Sequence, residues 1–198
     1  MRHVPALVTA FLLAVPLSAG SIGTYIFTGT ASGTAGSASF TGVTLTISAT
    51  GDIGLIGPCT GGSPQCFLLD ISNGSAAISI GGVGSGTFSA QTYVFDNQTA
   101  FAGAVGFGLV SDDIQIHDTD LGSTVFSTYD LATSLGPICC VTDPSTPDWV
   151  NLPTTLGNTT ISSYTDVSFQ AIVGVPEPCT LVVAPALLWF FLRRASRR

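Results

Sequence analysis

The chain contains no lysine, and its five arginines are Arg2, Arg193, Arg194, Arg197 and Arg198, so everything between Gly20 and Val175 lacks a fixed positive charge. Glutamate is nearly missing too: Glu177 is the sole one, while eleven aspartates and a single histidine, His117, occupy the interior of the sequence. Displacing counterions from a nucleic acid needs cationic side chains, so that class of partner is excluded. Tight recognition of phosphate or carboxylate through Arg or Lys is excluded on the same ground. A polyanion is reachable only through bound cations or neutral contacts. The good helix formers Glu, Lys, Arg and Gln are scarce, and long helices are correspondingly disfavoured.

What is present is Gly, Ser and Thr in quantity, with bulky residues that are mostly Val, Ile, Phe and Tyr, which favours strands. The apolar fraction of 45% is too high for a disordered chain. Val43, Leu45 and Ile47 alternate with Thr44, Thr46 and Ser48, the period of a strand with one buried face. Tyr25–Phe27, Phe67–Ile71 and Ala76–Ile80 read as further strands, with Asn73-Gly74 as a hairpin turn between the last two. Gly29–Ser39 reads as a loop or a glycine-weakened strand edge, and Gly81–Gly86 as a glycine-rich turn. Thr87–Phe95 and Phe101–Val110 form an antiparallel pair around a polar turn at Asp96–Gln98; in the second, Val105, Phe107 and Leu109 share one side. Ile114, Ile116 and Val125–Leu131 continue the strand pattern. Residues 136–153, with four prolines, read as loop, and a last strand runs from about Thr160 to Val173, with Ile161, Val167, Phe169, Ala171 and Val173 on one face. About eight to ten short strands separated by turns define an all-β class: an antiparallel β-sandwich, jelly-roll or Ig-like, over residues 21–174.

Candidate chemistry in this body is sparse. Cys59, Cys66, Cys139 and Cys140 allow three disulfide pairings in an oxidising compartment. The turn-rich loop between Cys59 and Cys66 favours that pair and leaves Cys139-Cys140 as a vicinal bond, with a crosslink between the two loops as the alternative. Adjacent cysteines and a lone histidine do not have zinc-ligand spacing. Asp112, Asp113, Asp118 and Asp120 around His117 are hard oxygen ligands of the kind calcium takes, but the ligand order of an EF-hand is missing, and a solvated acidic loop is the plainer reading. His117 is the one imidazole available as a general base, and no GxSxG element accompanies it. No catalytic residue, metal centre or cofactor is expected.

The two ends are different in kind. Met1 to about Ala19 carries Arg2, an apolar core from Val4 to Leu17, and the small residues Ser18, Ala19 and Gly20, the pattern of a secretory signal peptide. At the other end Val175, Pro176, Glu177 and Pro178 precede an uncharged run of 14 residues from Cys179 to Leu192 and then Arg193, Arg194, Arg197 and Arg198. Two prolines two residues apart leave an extended segment that another protein can read. As a helix the run reaches roughly 21 Å against a hydrocarbon thickness of about 30 Å, a marginal span, with the arginines holding the C-terminus on the cytoplasmic side.

The order VPEP, apolar helix, Arg-rich end resembles the PEP-CTERM sorting signal of bacterial envelope proteins and covers residues 175–198. The resemblance implies recognition and cleavage near Pro176–Pro178 by a membrane-embedded exosortase, in bacteria that make exopolysaccharide or biofilm matrix. The expected organisation is a signal peptide over 1–20, a β-sandwich over 21–174 and a short transmembrane sorting helix. The expected role is that of a noncatalytic structural or adhesive protein of the cell envelope, surface or matrix, with signal peptidase, an exosortase-like enzyme, the membrane and exopolysaccharide as partners. The alternative is a carbohydrate-binding module in which Tyr93, Tyr129, Trp149 or Tyr164 presents a ring to a sugar face.

Overall fold

β1 (Ile22–Ala35) is hydrogen-bonded on both sides, to β2 (Ala38–Asp52) and to β11 (Gly157–Gly174), so the first and last strands of the body are neighbours. The computed structural model describes residues 20–59, 66–72, 74–99, 103–109, 123–139 and 149–174. Residues 1–19 and 175–198, where a signal peptide and a sorting segment are expected, lie outside them. Between β2 and β11 come β3 (Gly57–Pro58), β4 (Cys66–Ile71), β5 (Ala76–Ile80), β6 (Gly84–Thr87), β7 (Thr92–Asn97), β8 (Ala104–Leu109), β9 (Leu135–Ile138) and β10 (Trp149–Thr154). They form two antiparallel sheets. One runs β10-β11-β1-β2-β5-β6, with β9 also on β11, and the other runs β3-β4-β7-β8. Among the described residues no helix is long and apolar enough to cross a membrane.

The chain is all-β, with the two sheets enclosing one apolar core, as in a β-sandwich. The large sheet sets the last strand, β11, beside the first, β1, with β2 on its other side, whereas an Ig-like sandwich sets ABED against CFG. The large sheet also curls until its edges touch. The Thr155 amide donates to the Thr87 carbonyl at 2.9 Å, the Ser89 amide donates to the Pro153 carbonyl at 2.8 Å, and Phe88 bridges Thr154. Pairing the two edges removes open hydrogen-bonding groups that would otherwise template another chain.

Core packing follows from register. Tyr25 lies between Ala49 and Ala171, and Phe27 between Ile47 and Phe169, so a large ring beside small neighbours alternates with a row of large side chains. Phe169, fully buried, is the hub: its ring centroid lies 5.1 Å from Phe27, 5.8 Å from Phe126, 6.0 Å from Tyr129 and 6.5 Å from Tyr25. Phe107 of β8 meets Phe27 at 6.3 Å and Phe88 at 5.0 Å, which ties the second sheet to the first. Offset and edge-on ring pairs of this kind add about 0.5–1.5 kcal/mol each beyond area burial.

The period-two reading holds for Leu45 and Ile47 and for Val105, Phe107 and Leu109, all of which face the core. Elsewhere bulges change the parity. Ala31 faces Val43 but Gly33 faces Phe40, so β2 carries one extra residue there; Gly42 takes φ 60, and its amide donates to the Ser32 hydroxyl at 3.1 Å. That extra residue lets Phe40 and Leu45, of opposite parity, both point inward. In β11 Thr28 faces Ser168 and Thr30 faces Thr165, with Asp166 at φ 52, and a second shift follows between Ser32 and Gly33. Tyr164 thereby joins Ile161, Val167, Phe169 and Ala171 on the core face.

Several expectations are corrected. Gly29–Ser39 is not a loop: β1 continues to Ala35 and turns at Gly36, which takes φ 57, into β2. A Cβ at Gly29 would meet the Thr165 carbonyl and the Tyr164 ring at 2.7 and 2.8 Å, so glycine serves close packing there. β4 and β5 do not form the expected hairpin, because β4 pairs with β7 and β5 with β2; Gly74 takes the expected positive φ, and Asn73 lies outside the described residues. Gly84–Thr87 is a strand, and Thr87–Phe95 is split between β6 and β7. Val125–Leu131 holds a 3-10 turn, Phe126–Thr128, instead of a strand. The stretch 136–153 contains most of β9 and β10. Pro137 is tolerated because β9 bonds to β11 alone, and Pro153 sits at the closing edge, where its carbonyl accepts from the Ser89 amide. Ile114 and Ile116 lie outside the described residues.

Phe169→Ala should cost about 3–5 kcal/mol in urea unfolding, since it removes the ring against which four others pack. Ile172→Ala in the same strand, 49% exposed, should stay within about 0.5 kcal/mol of wild type. Equal effects at the two positions would contradict this description of the core.

Candidate functional site

The feature of the body that sequence alternation alone does not explain is a carboxyl group on the core face of the smaller sheet. Thr92, Val94 and Asp96 share the inward side of β7, opposite Ile71, Leu69 and Phe67 of β4 and Leu109, Phe107 and Val105 of β8. Asp96 is fully buried, and neither of its oxygens has a hydrogen-bond partner. Burial pushes its pKa up to about 8, and the nearby charge of Asp130 adds to the rise.

A turn from Tyr129 to Thr133 lies against this group. The Asp130 carboxylate accepts from the Ala132 amide at 3.0 Å, and Leu131 between them is held at φ 64. The Tyr25 hydroxyl donates to the Leu131 carbonyl at 2.7 Å, and Tyr129 donates its hydroxyl to the Thr133 carbonyl at 3.1 Å. Gln98, two residues beyond Asp96, donates its amide to the Tyr129 carbonyl at 2.8 Å, which fastens the turn to the end of β7. The phenols of Tyr25 and Tyr129 are raised far above their usual range, first by burial and then by neighbouring charge, so both stay neutral donors. The arrangement is two carboxyls, two neutral phenols and several oriented carbonyls, with no cationic group supplied by the body.

The other candidate residues fall elsewhere. Cys59 and Cys66 are disulfide-bonded with Cα atoms 5.3 Å apart; pairing of Gly57–Pro58 with Phe67–Leu68 brings them opposite each other, and the Cys59 amide donates to the Cys66 carbonyl at 3.0 Å. Cys139 is also disulfide-bonded. Cys140, Val175, Pro176, Glu177, Pro178, Arg193, Arg194, His117 and the aspartates at 112, 113, 118 and 120 lie outside the described residues. Tyr93, Tyr129, Trp149 and Tyr164 are 9%, 5%, 2% and 6% exposed, so none of the four rings is a platform for a sugar. Trp149 and Tyr164 pack on each other at 5.4 Å, with their polar atoms buried and without partners, and Tyr93 lies over Gly108, where a Cβ would collide with its ring.

Asp96 was legible in principle. It shares parity with Thr92 and Val94, yet its place in the polar run Asp96–Gln98 reads as a turn. Asp130 and Tyr25 carry no sequence signal for this cluster. Comparison with protein-family models, with curated proteins and with solved structures finds no match for the chain.

The shift at Asp96 fixes the sign of a pH dependence. At pH values between about 4 and about 8 the folded state holds a proton that the unfolded state has released, so raising the pH favours unfolding; below and above that window the contribution is flat. In chelator-treated buffer the urea midpoint of wild type should therefore fall as pH rises from about 4 to about 8 by more than that of Asp96→Asn. Parallel profiles for the two proteins would show that Asp96 is not held protonated by the fold.

Proposed function

We propose that the protein is an exported, noncatalytic component of a bacterial cell envelope or extracellular matrix, with a structural or adhesive role in an exopolysaccharide setting. The N-terminal signal delivers it, the short C-terminal helix retains it, and an exosortase-like enzyme cleaves it near Pro176–Pro178. The observation that carries this reading is the order of three elements at the C-terminus: Val175-Pro176-Glu177-Pro178, the uncharged run Cys179–Leu192, and the arginines from Arg193 onward.

Two features of the folded body support it. Ile22 and Gly174 are register partners, so the body joins both lipid-interacting segments at one end of one sheet. The disulfide between Cys59 and Cys66 suits a compartment outside the reducing cytoplasm. The mechanism of sorting needs nothing from the core. The prolines keep 176–178 extended, the helix is long enough to dwell in the bilayer but too short to be a robust span, and the arginines fix its direction.

Replacing Pro176, Glu177 and Pro178 together by alanine in the native host should leave the protein uncleaved and in the membrane fraction, while the wild type is found shortened at the surface or in the medium. An unchanged size and distribution would refute the sorting role of that tripeptide.

A further inference from the structure

The composition sets a constraint on every buried acid in this body. Between Gly20 and Val175 there is no lysine or arginine, so a carboxylate withdrawn from water there has no permanently cationic side chain of the body to pair with, and a proton or a bound cation is left to neutralise it. Asp96 is such a group: fully buried, with both oxygens unpartnered, on a strand face otherwise made of Val94 and Thr92. Its cross-strand partners are Phe67 and Val105, and the 129–133 turn is fastened two residues further along, where Gln98 donates to the Tyr129 carbonyl. Asp130 is partly exposed, and the Ala132 amide occupies Oδ1, leaving Oδ2 for another contact. The carbonyls of Tyr129 and Leu131 each receive one donor, from Gln98 and Tyr25, and a carbonyl oxygen has a second lone pair. Of the phenols, Tyr129 is close enough to feel both Asp96 and Asp130 and Tyr25 is close enough to feel Asp130; both are neutral.

We infer that Asp96 and Asp130 form a binding site for calcium under the 129–133 turn. An all-oxygen donor set selects a hard cation over zinc or copper. Calcium tolerates irregular coordination, whereas magnesium demands a near-octahedral shell and keeps its waters, which an enclosed pocket does not favour. Two carboxylates balance the charge of one divalent ion. Among the described residues no three His, Cys, Asp or Glu side chains gather, so the rest of the shell is main-chain carbonyl and water. Asp130, on the partly exposed turn, gives the ion its way in. Once bound, it ties the end of β7 to the segment that carries Phe126 and Tyr129 into the core, so the body is firmest where calcium is plentiful, as it is outside cells. The inference concerns the folded body alone and does not depend on the sorting reading.

The test is thermal unfolding of the full-length chain in non-ionic detergent at alkaline pH, in EDTA and then in about 5 mM CaCl2 or MgCl2. Calcium should raise the Tm of wild type by about 5 °C, magnesium by less, and neither should move Asp96→Asn or Asp130→Asn. Tyrosine-sensitised terbium luminescence gives an independent readout if Asp96→Asn does not fold: wild type should emit, calcium should quench the emission by competition, and Asp130→Asn should lose it. No calcium shift in wild type, a shift that survives in Asp96→Asn, or emission that survives in Asp130→Asn would each overturn the site. An Asp96→Asn protein in EDTA as stable as calcium-loaded wild type would also overturn it, marking Asp96 as a neutral buried acid.

Discussion

The hydrogen-bonded ladder on both sides of β1 is the constraint on which the rest of the body depends. Because β11 is one of its two partners, the central part of the large sheet is incomplete until the last strand of the body has been made. Contacts between residues near 25 and residues near 170 are as long-range as this chain permits, and folding dominated by such pairs is slow. A chain that stays open until its last strand arrives suits passage across a membrane before folding. The same pairing sets Ile22 beside Gly174, which puts both departures from the sheet at one end. Fold and proposed sorting are connected through that pair.

A second constraint comes from charge. With eleven aspartates and no lysine or arginine, the body has no permanently cationic side chain with which to settle a buried acid. Most of its stability therefore rests on apolar packing around Phe169 and on edge closure at Phe88 and Thr154, neither of which involves charge. Asp96 is the exception: a buried acid whose oxygens have no hydrogen-bond partner, and the group on which the proposed calcium site is built. The buried rings of Tyr93, Trp149 and Tyr164 belong to packing, and they leave recognition of a sugar without an aromatic surface among the residues first considered for it.

How far the sequence reveals this structure depends on whether local pattern and tertiary pairing agree. They agree at Val43–Ile47 and at Val105–Leu109, where unbroken alternation gives both strand and face. They part at the bulges, because one inserted residue reverses parity: Phe40 and Tyr164 are core residues that strict alternation assigns to the other side. Asn73-Gly74 shows the same limit, since a turn signal says that the chain reverses locally and nothing about which strand it next meets. Prolines misdirect at 137, on a strand bonded on one side, and at 153, where the carbonyl still serves the edge closure. The candidate cluster was least legible, as Asp96, Asp130 and Tyr25 are brought together only by the turn over β7. The proposed sorting elements, in contrast, are read from sequence alone, as linear patterns at residues 1–20 and 175–198.

The most direct test of the central claim, that a two-sheet body is carried outside the cytoplasm and trimmed at both of its adjoining ends, is the intact mass of the protein recovered from its native host. The account predicts a species that begins near Ala19–Ser21 and ends near Pro176–Pro178, found in the envelope, at the surface or in the medium. A full-length species of 20.2 kDa, soluble in the cytosol with both terminal segments attached, would contradict it.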